Sequence, residues 1–378
     1  MNRVLWVFLS VLLIFTGCAP SISASAPENT PEPLSTATPI PTATPTPEPT
    51  PEPTPEPTPE LVPYTGELRH IFFHSLIVYP QMVFTDRTTP MGGYNSGFAE
   101  KAELERLLPQ LYERGYVLYD INECFEKVDG RMRRKEILLP EGKIPLILSV
   151  DDVAYAYGPG WASRLFVDDA GALMYEVPNP QGGVDVMPDG DVMGVIDAFV
   201  AEHPDFSHDG HKGTIALTGF QGAFGYPDYD APGNGEQIRA VADALKAEGW
   251  SFASHSYTHN SGYYGYWGAG CLPDRIHYDI NKWVDRVTPW IGKTNVFIAP
   301  FGYRVSGEAL RHVLDAGFDI YCTVDDHVVN EVYDDYALTS RIEIGGYSLR
   351  MYKDRLRELF FDPDTVLDTQ GRPPLALD

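Results

Sequence analysis

Two adjacent carboxylates, Asp151 and Asp152, end the apolar run Leu146-Ile147-Leu148-Ser149-Val150. If that run is a buried strand, the pair stands at its mouth, where like charges repel and desolvation is costly. A bound cation relieves both costs, with one carboxylate ligating and the other free to act as a base. Further along, His255-Ser256-Tyr257-Thr258-His259 spaces two histidines four apart, and a helical turn puts both imidazoles on one face. One Asp with two His makes a three-ligand site with an open position, the arrangement catalytic zinc prefers. A third signal is Pro300-Phe301-Gly302, after the run Phe297-Ile298-Ala299. Such a turn can aim a backbone N–H into a cleft, where it stabilises the oxyanion of an acyl transfer. Each signal has a plainer reading: a solvated cap, core histidines, an ordinary turn. Their common place at the ends of strands is what argues for chemistry.

The elements that must position these residues alternate. Strands are predicted at 70–78, 116–119, 144–150, 214–217, 250–253, 296–299, 320–324 and 339–344. Helices are predicted at 99–114, 192–203, 237–248, 275–290 and 308–316. In the first helix Leu104, Leu107, Leu108 and Leu111 recur at three and four, and Gly115 ends it. Strand and helix in alternation imply a parallel sheet with helices outside. The number of units fits a closed or distorted barrel better than an open sheet. Residues 166–175, centred on Asp168-Asp169-Ala170-Gly171, read as an inserted β-hairpin. In a barrel, chemistry gathers at the C-terminal ends of the strands.

Asp151-Asp152, His255-x3-His259 and Pro300-Phe301-Gly302, in this order and spacing, resemble the polysaccharide deacetylases (NodB-homology domain, carbohydrate esterase family 4). The resemblance covers about residues 68–345. It implies a distorted (β/α)7 barrel of the α/β class, with Asp151 as catalytic base. Asp152, His255 and His259 would bind a divalent metal, usually zinc in this family, and the Phe301 amide would help to hold the oxyanion. Tyr257 and Pro300, inside the motifs, are expected substrate contacts. The substrates it implies are N-acetylated glycans, peptidoglycan or poly-N-acetylglucosamine among them, hydrolysed to acetate and free amine.

The sequence departs from the family pattern at two places. Ile298 stands where an Arg usually steadies the catalytic Asp, and the usual late Leu-x-His, source of the general acid, is missing. The first strand carries Ile71-Phe72-Phe73-His74 instead, similar to the poly-N-acetylglucosamine deacetylases of biofilms, which place the acid histidine early and also lack that Arg. His74 is therefore the candidate general acid, and Arg341 a candidate substitute for the absent Arg.

The N-terminal segment reads as an address and a tether. Arg3 precedes a twelve-residue apolar run, 4–15, too short to span a bilayer and suited to a secretory leader over residues 1–17. It ends in Phe15-Thr16-Gly17-Cys18, which resembles a bacterial lipoprotein box, with Cys18 as the lipidated residue. Fourteen prolines lie between Pro27 and Pro63, and residues 47–60 repeat Pro-Glu-Pro-Thr, a composition that favours extended polyproline II. Residues 18–63 are thus expected to form a linker from a membrane to a catalytic domain over 64–378.

The chain has 378 residues and a formal net charge of −25. That balance argues against a nucleic-acid partner, which needs clustered Lys and Arg. Of the four cysteines, no pair has zinc-site spacing, and Cys124 and Cys322 read as buried free thiols. Tyr263, Tyr264 and Trp267, with Tyr266 among glycines after His259, are candidate glycan contacts, since sugar rings have apolar faces that stack on aromatics. Asp325-Asp326-His327 holds ligand-type residues but reads as another strand mouth. The expectation is a metal-dependent glycan N-deacetylase, lipid-anchored outside a bacterial cell. Alternatives are a carbohydrate-binding surface lipoprotein on a deacetylase scaffold, or a hydrolase of some small N-acyl compound.

Overall fold

The structure is a computed structural model, and it describes residues 60–84, 93–153 and 160–375. The expected leader, Cys18 and the linker up to residue 59 lie outside the described residues. Seven parallel strands close into a ring: β1 (Arg69–His74), β2 (Ile144–Asp151), β3 (Gly213–Leu217), β4 (Trp250–Ser254), β5 (Val296–Ile298), β6 (Ile320–Val324) and β7 (Ala337–Glu343). Each strand pairs with the next in the order β1-β2-β3-β4-β5-β6-β7, and β7 pairs back onto β1. The fold is a distorted (β/α)7 barrel. The distortion is visible in β2. Its lower half pairs with an extra short strand, Tyr116–Leu118, and only Ser149–Asp151 meet β3.

Helices α1 (Lys101–Glu113), α2 (Val192–Glu202), α3 (Asn234–Ala247), α4 (Pro273–Ile291), α5 (Gly307–Asp315) and α6 (Gly346–Met351) are the helices of six residues or more that precede residue 352. They form where apolar residues recur at three and four. In α1, Leu104, Leu107, Leu108 and Leu111 are all buried against the sheet. Within each strand, side chains alternate between two layers. One set, including Ile71, Phe73, Leu148, Val150, Ile215, Leu217 and Phe297, packs under the helices. The other set is smaller in volume, with Ile147, Ala216, Ala253, Ile298, Cys322 and Ala337 in a second cluster. The same period of two puts His74, Asp151, Arg341 and Glu343 in phase with that inner set, at the C-terminal ends of their strands.

The predicted strands and helices all appear, with ends shifted by a few residues. The largest shift is in β1, predicted to run to residue 78; it stops at His74, after which Leu76 N donates to Asp191 Oδ1 and the chain leaves the sheet. The inserted hairpin is present as Arg164–Val167 and Leu173–Pro178, its turn held by Asp168 Oδ1, which accepts from Ala170 N and Ala172 N at 2.9 Å. It gains a third antiparallel strand, Val184–Met187. A hairpin absent from the sequence reading joins Phe125–Val128 to Arg131–Arg134 through Asp129-Gly130, both at positive φ. Leu61–Pro63 pairs with Leu138–Pro140, so regular structure begins just before the expected boundary at residue 64. Cys124 and Cys322 are buried free thiols, and burial pushes both up, Cys322 to about 12. Among the described residues no helix is long and apolar enough to cross a membrane.

The C-terminal tail closes the structure on the side of β1. Arg372 is buried, and its guanidinium grips Glu103 through Nε to Oε1 at 2.7 Å and through Nη2 to Oε2. Glu100, buried beside it, has its Oε1 at 3.5 Å from Arg372 Nε. Burial, then the charge of Glu103, outweighs Arg372 and pushes the Glu100 carboxyl up to about 8. The folded protein therefore keeps a proton that the unfolded chain releases near pH 4.5, so stability falls as pH rises from there to about 8. Replacing Glu100 by Gln removes that loss. In urea unfolding, Glu100→Gln should gain roughly 3 kcal/mol relative to wild type between pH 5 and pH 8.5. Equal offsets at both pH values would show that Glu100 ionises normally in the fold.

Candidate active site

The carboxylate pair needs a special backbone to act together. Successive residues of a strand point to opposite faces. Asp151 is the last residue of β2, and Asp152 breaks the alternation by adopting φ 59°, a left-handed conformation rare for a residue with a side chain. The turn brings both carboxylates to the same mouth.

The histidine segment differs from the expected helical turn. Residues 255–259 are not helical; Ser256 and His259 take φ 63° and 47°. The two left-handed residues fold the segment back so that the imidazole centroids lie 4.8 Å apart. Ser256 Oγ accepts from His259 N at 3.0 Å and fixes the second histidine. His255 is buried, and its Nδ1 meets Ile298 O at 2.8 Å, which makes Nδ1 the donor and leaves Nε2 with a free lone pair. Burial, against the pull of Asp151 and Asp152, lowers the His255 pKa and favours the neutral ring.

These atoms face a common point. His255 Nε2 is 3.9 Å from Asp152 Oδ1, and His259 Nε2 is 4.0 Å from Asp152 Oδ2. The distances are too long for hydrogen bonds, and one ligand atom from each of the three residues lies within 4.8 Å of the others. Two imidazole nitrogens and one carboxylate suit a divalent transition metal, zinc above all. The donor set fits the ion.

Asp151 stands beside this group without belonging to it, its Oδ2 at 3.8 Å from His255 Nε2. Its partner is Arg341, wholly buried on β7. Nη1 donates to Oδ1 at 2.7 Å and Nη2 to Oδ2 at 2.9 Å. Phe72 lies under the guanidinium at 4.0 Å, and Ser149 Oγ accepts from Nη1 at 3.1 Å. Burial alone would raise the Asp151 carboxyl; Arg341, with His255, overrides it and holds the pKa at about 2. A guanidinium thus reaches Asp151 from β7, while Ile298, at the position where the family pattern has Arg, is buried and contributes its carbonyl to His255.

A cavity of about 300 Å³ opens over the group, lined by His74, Asp151, His255, His259, Phe301 and Arg341 among others. His74 enters from the end of β1. Its Nδ1 meets Gly97 O at 2.8 Å and lies 3.6 Å from Glu343 Oε1. With Nδ1 donating to that carbonyl, Nε2 is the other ring nitrogen. Phe301 sits in a tight turn at φ 56°, formed as Gly302 N and Tyr303 N donate to Ala299 O and Pro300 O. Its ring is 59% exposed and tilts against His259 at 4.6 Å.

Several expected substrate contacts are elsewhere. Trp267 is a correction: it is 1% exposed, packs on Phe297 and donates Nε1 to Asp279, so no sugar can stack on it. Tyr257 packs on Gly219 and under Lys282 Nζ, 4.3 Å from its ring, and is not among the residues that line the cavity. Pro300 is buried under the turn and is not part of the cavity wall. Tyr263 and Tyr264 are 89% and 63% exposed, edge to face with one another, and also outside the cavity lining. Asp325, Asp326 and His327 form an exposed group just past the end of β6, as a strand mouth should.

Sequence reasoning missed Asp279 and Glu343. Asp279 is fully buried on α4 and accepts from Thr258 N at 2.8 Å, Tyr257 N at 3.2 Å and Trp267 Nε1 at 2.9 Å. It clamps the backbone between the two histidines. The signal was present: Asp279 is a carboxylate on the apolar face made by Ile276, Ile280, Trp283 and Val287. Glu343 gave no such signal; burial raises its pKa, and His74 opposes that rise.

The fold and site thus define a (β/α)7 barrel with a two-histidine, one-aspartate donor set and a guanidinium-held carboxylate at its C-terminal mouth. No protein-family model and no curated protein matches the sequence. Among solved structures the chain is similar to the Streptococcus pyogenes deacetylase PplD in complex with acetate, at 12% identity over 84% of this chain and 100% of that one, TM-score 0.45. It is similar to a de-N-acetylase from Aggregatibacter actinomycetemcomitans at 14% identity, covering 74% and 96%, TM-score 0.45. It is also similar to IcaB from Ammonifex degensii at 14% identity, covering 75% and 93%, TM-score 0.41.

Removing one member of a buried ion pair leaves the other uncompensated, at roughly 3–5 kcal/mol. Arg341→Met should lose about that much stability in urea unfolding. Asp151→Asn combined with Arg341→Met should recover most of the loss. Equal destabilisation of the single and double variants would mean that Arg341 acts through packing on Phe72 and not through charge.

Proposed function

We propose that the protein is a metal-dependent carbohydrate N-deacetylase, cleaving acetyl groups from an N-acetylglucosamine-containing glycan. One observation carries the reading. Asp152, His255 and His259 converge on one point while Asp151, ionised and held by Arg341, stands beside it unliganded. The reading agrees with the motif resemblance, which supplies the substrate class; peptidoglycan and poly-N-acetylglucosamine both fit it. The absence of Arg at Ile298, which favoured a binding-only protein, loses its force because Arg341 occupies Asp151 from another strand.

A divalent ion held by Asp152, His255 and His259, zinc by the donor chemistry, supplies Lewis acidity to the amide carbonyl and acidifies water. The remaining steps belong to side chains of this chain. Asp151 takes the proton of the attacking water; Arg341 keeps its carboxylate ionised and aimed at the cavity. As the water oxygen bonds to the acyl carbon, the Phe301 amide would donate to the oxyanion. His74 then gives a proton to the nitrogen as the carbon–nitrogen bond breaks, releasing acetate and a free amino sugar.

The purified domain should bind about one equivalent of zinc and release acetate from an N-acetylglucosamine oligomer. Asp151→Asn should retain zinc and lose acetate release by at least 10²-fold, the low end of what a general base contributes. His255→Ala should lose the zinc itself. Full activity in Asp151→Asn would overturn the base assignment, and undiminished zinc in His255→Ala would overturn the metal site.

We further propose that this domain lies outside the cell, secreted by residues 1–17 and anchored through lipid on Cys18, with the Pro-rich segment as tether. In a bacterial host, labelled fatty acid should enter the full chain and fail to enter Cys18→Ala. Equal labelling of both would exclude this anchor.

A further inference from the structure

His74 makes two contacts that fix its ring. Its Nδ1 meets Gly97 O at 2.8 Å, and its ring packs on Phe98 at 4.9 Å. Gly97 ends a single helical turn, Tyr94–Gly97, and Phe98 follows it; a turn this short has little intrinsic stability. The segment is held from outside on two sides.

On one side is the C-terminal tail. Arg372 Nη2 donates to Phe98 O at 2.6 Å, and Nη1 donates to Asn95 O at 3.3 Å and to Asn95 Oδ1 at 3.2 Å. Glu103 fixes the guanidinium in this pose. Asn95 Nδ2 donates to Pro373 O at 2.7 Å. On the other side are Gly345 and Gly346 at the start of α6. A methyl group on Gly345 would meet Gly97 C at 2.8 Å and Gly97 O at 2.9 Å; one on Gly346 would meet Asn95 O at 2.0 Å. The 95–98 turn is thus held between a glycine pair, which abuts Gly97 and Asn95, and an arginine, which bonds Asn95 and Phe98, both from the last part of the chain.

We propose that Arg372 is a positioning residue for His74: it holds the 95–98 turn against the Gly345–Gly346 backbone, so that the Gly97 carbonyl orients the imidazole. The inference rests on the reading of His74 as the proton donor. The groups facing His74 are Glu343 and Asp151, on β7 and β2, with Arg341 behind Asp151. None of them touches the turn's outer clamp, so the clamp can be loosened without altering the metal ligands.

The test uses the zinc-loaded domain and two variants that disturb the same turn from opposite sides. Arg372→Gln should keep its zinc and its KM within about threefold, and lose kcat by roughly tenfold or more, as misplacement of a reacting group does. A carbonyl accepting from Nδ1–H favours the imidazolium. The His74 titration seen by NMR should therefore move to lower pH, and the alkaline limb of the rate profile with it. Gly345→Ala, which keeps the Arg372–Glu103 pair, should show the same kcat loss and the same direction of shift. It decides the matter should Arg372→Gln fail to fold. Wild-type kcat and an unmoved His74 titration in folded variants would overturn the proposal. If the wild-type domain released no acetate while the His74 titration still shifted, the deacetylase reading would fall and the positioning role would stand.

Discussion

Two neighbouring carboxylates at the mouth of a closed barrel stay ionised together only if each has positive charge of its own. The site is built around that requirement. Asp151 receives a bidentate guanidinium from Arg341, brought from the opposite end of the sequence by the pairing of β7 with β1 and of β1 with β2. Asp152 is turned the other way in space, by its left-handed backbone, to a pair of imidazoles whose free nitrogens call for a cation. Were Arg341 to serve both, neither carboxylate would be free. The division of labour between a liganding and an unliganded aspartate is therefore electrostatic before it is catalytic. It depends on the barrel being closed, since only closure sets β2 between β1 and β3.

That dependence explains which parts could be read from sequence. Strand and helix alternate with clear periods, so the seven barrel strands and the main helices were legible from apolar spacing alone. The metal group was legible because Asp152, His255 and His259 each follow a recognisable strand. What spacing could not show was how the backbone delivers them. The histidine pair reads as a helical turn, and the fold instead uses two left-handed residues, Ser256 and His259, stabilised by a hydroxyl and by the buried Asp279. Left-handed geometry at a non-glycine residue leaves no mark in the pattern. Arg341 could be no more than a candidate, because its partner lies 190 positions away and only topology joins them.

The aromatic loop after His259 illustrates the opposite error. Tyrosine and tryptophan among glycines look like an exposed platform, and Tyr263 and Tyr264 are exposed. Trp267 is not, because its indole N–H finds a buried carboxylate in Asp279, and a tryptophan so satisfied belongs to the core. A single buried aspartate on the apolar face of α4 thus reassigns a residue from the surface to the interior and at the same time braces the metal ligands.

The two walls of the cavity are stabilised by different means. The wall of the candidate metal group, on β2 and β4, is fixed through Ser256 beside it in sequence, Asp279 on the adjoining helix and the Ile298 carbonyl on β5. The acid wall, at the end of β1, is fixed from afar. His74 depends on a turn that cannot hold itself, and that turn is gripped by α6 and by the tail beyond residue 367. The chain must therefore be nearly complete before His74 is in place, whereas Asp152, His255 and His259 need only the strands up to β5. In a pocket where a proton donor and a nucleophile-generating group must be set independently, such separation lets either wall relax without dragging the other. The cost is that the acid side rests on a few long-range contacts, and the cluster of Glu100, Glu103 and Arg372 is where those contacts meet.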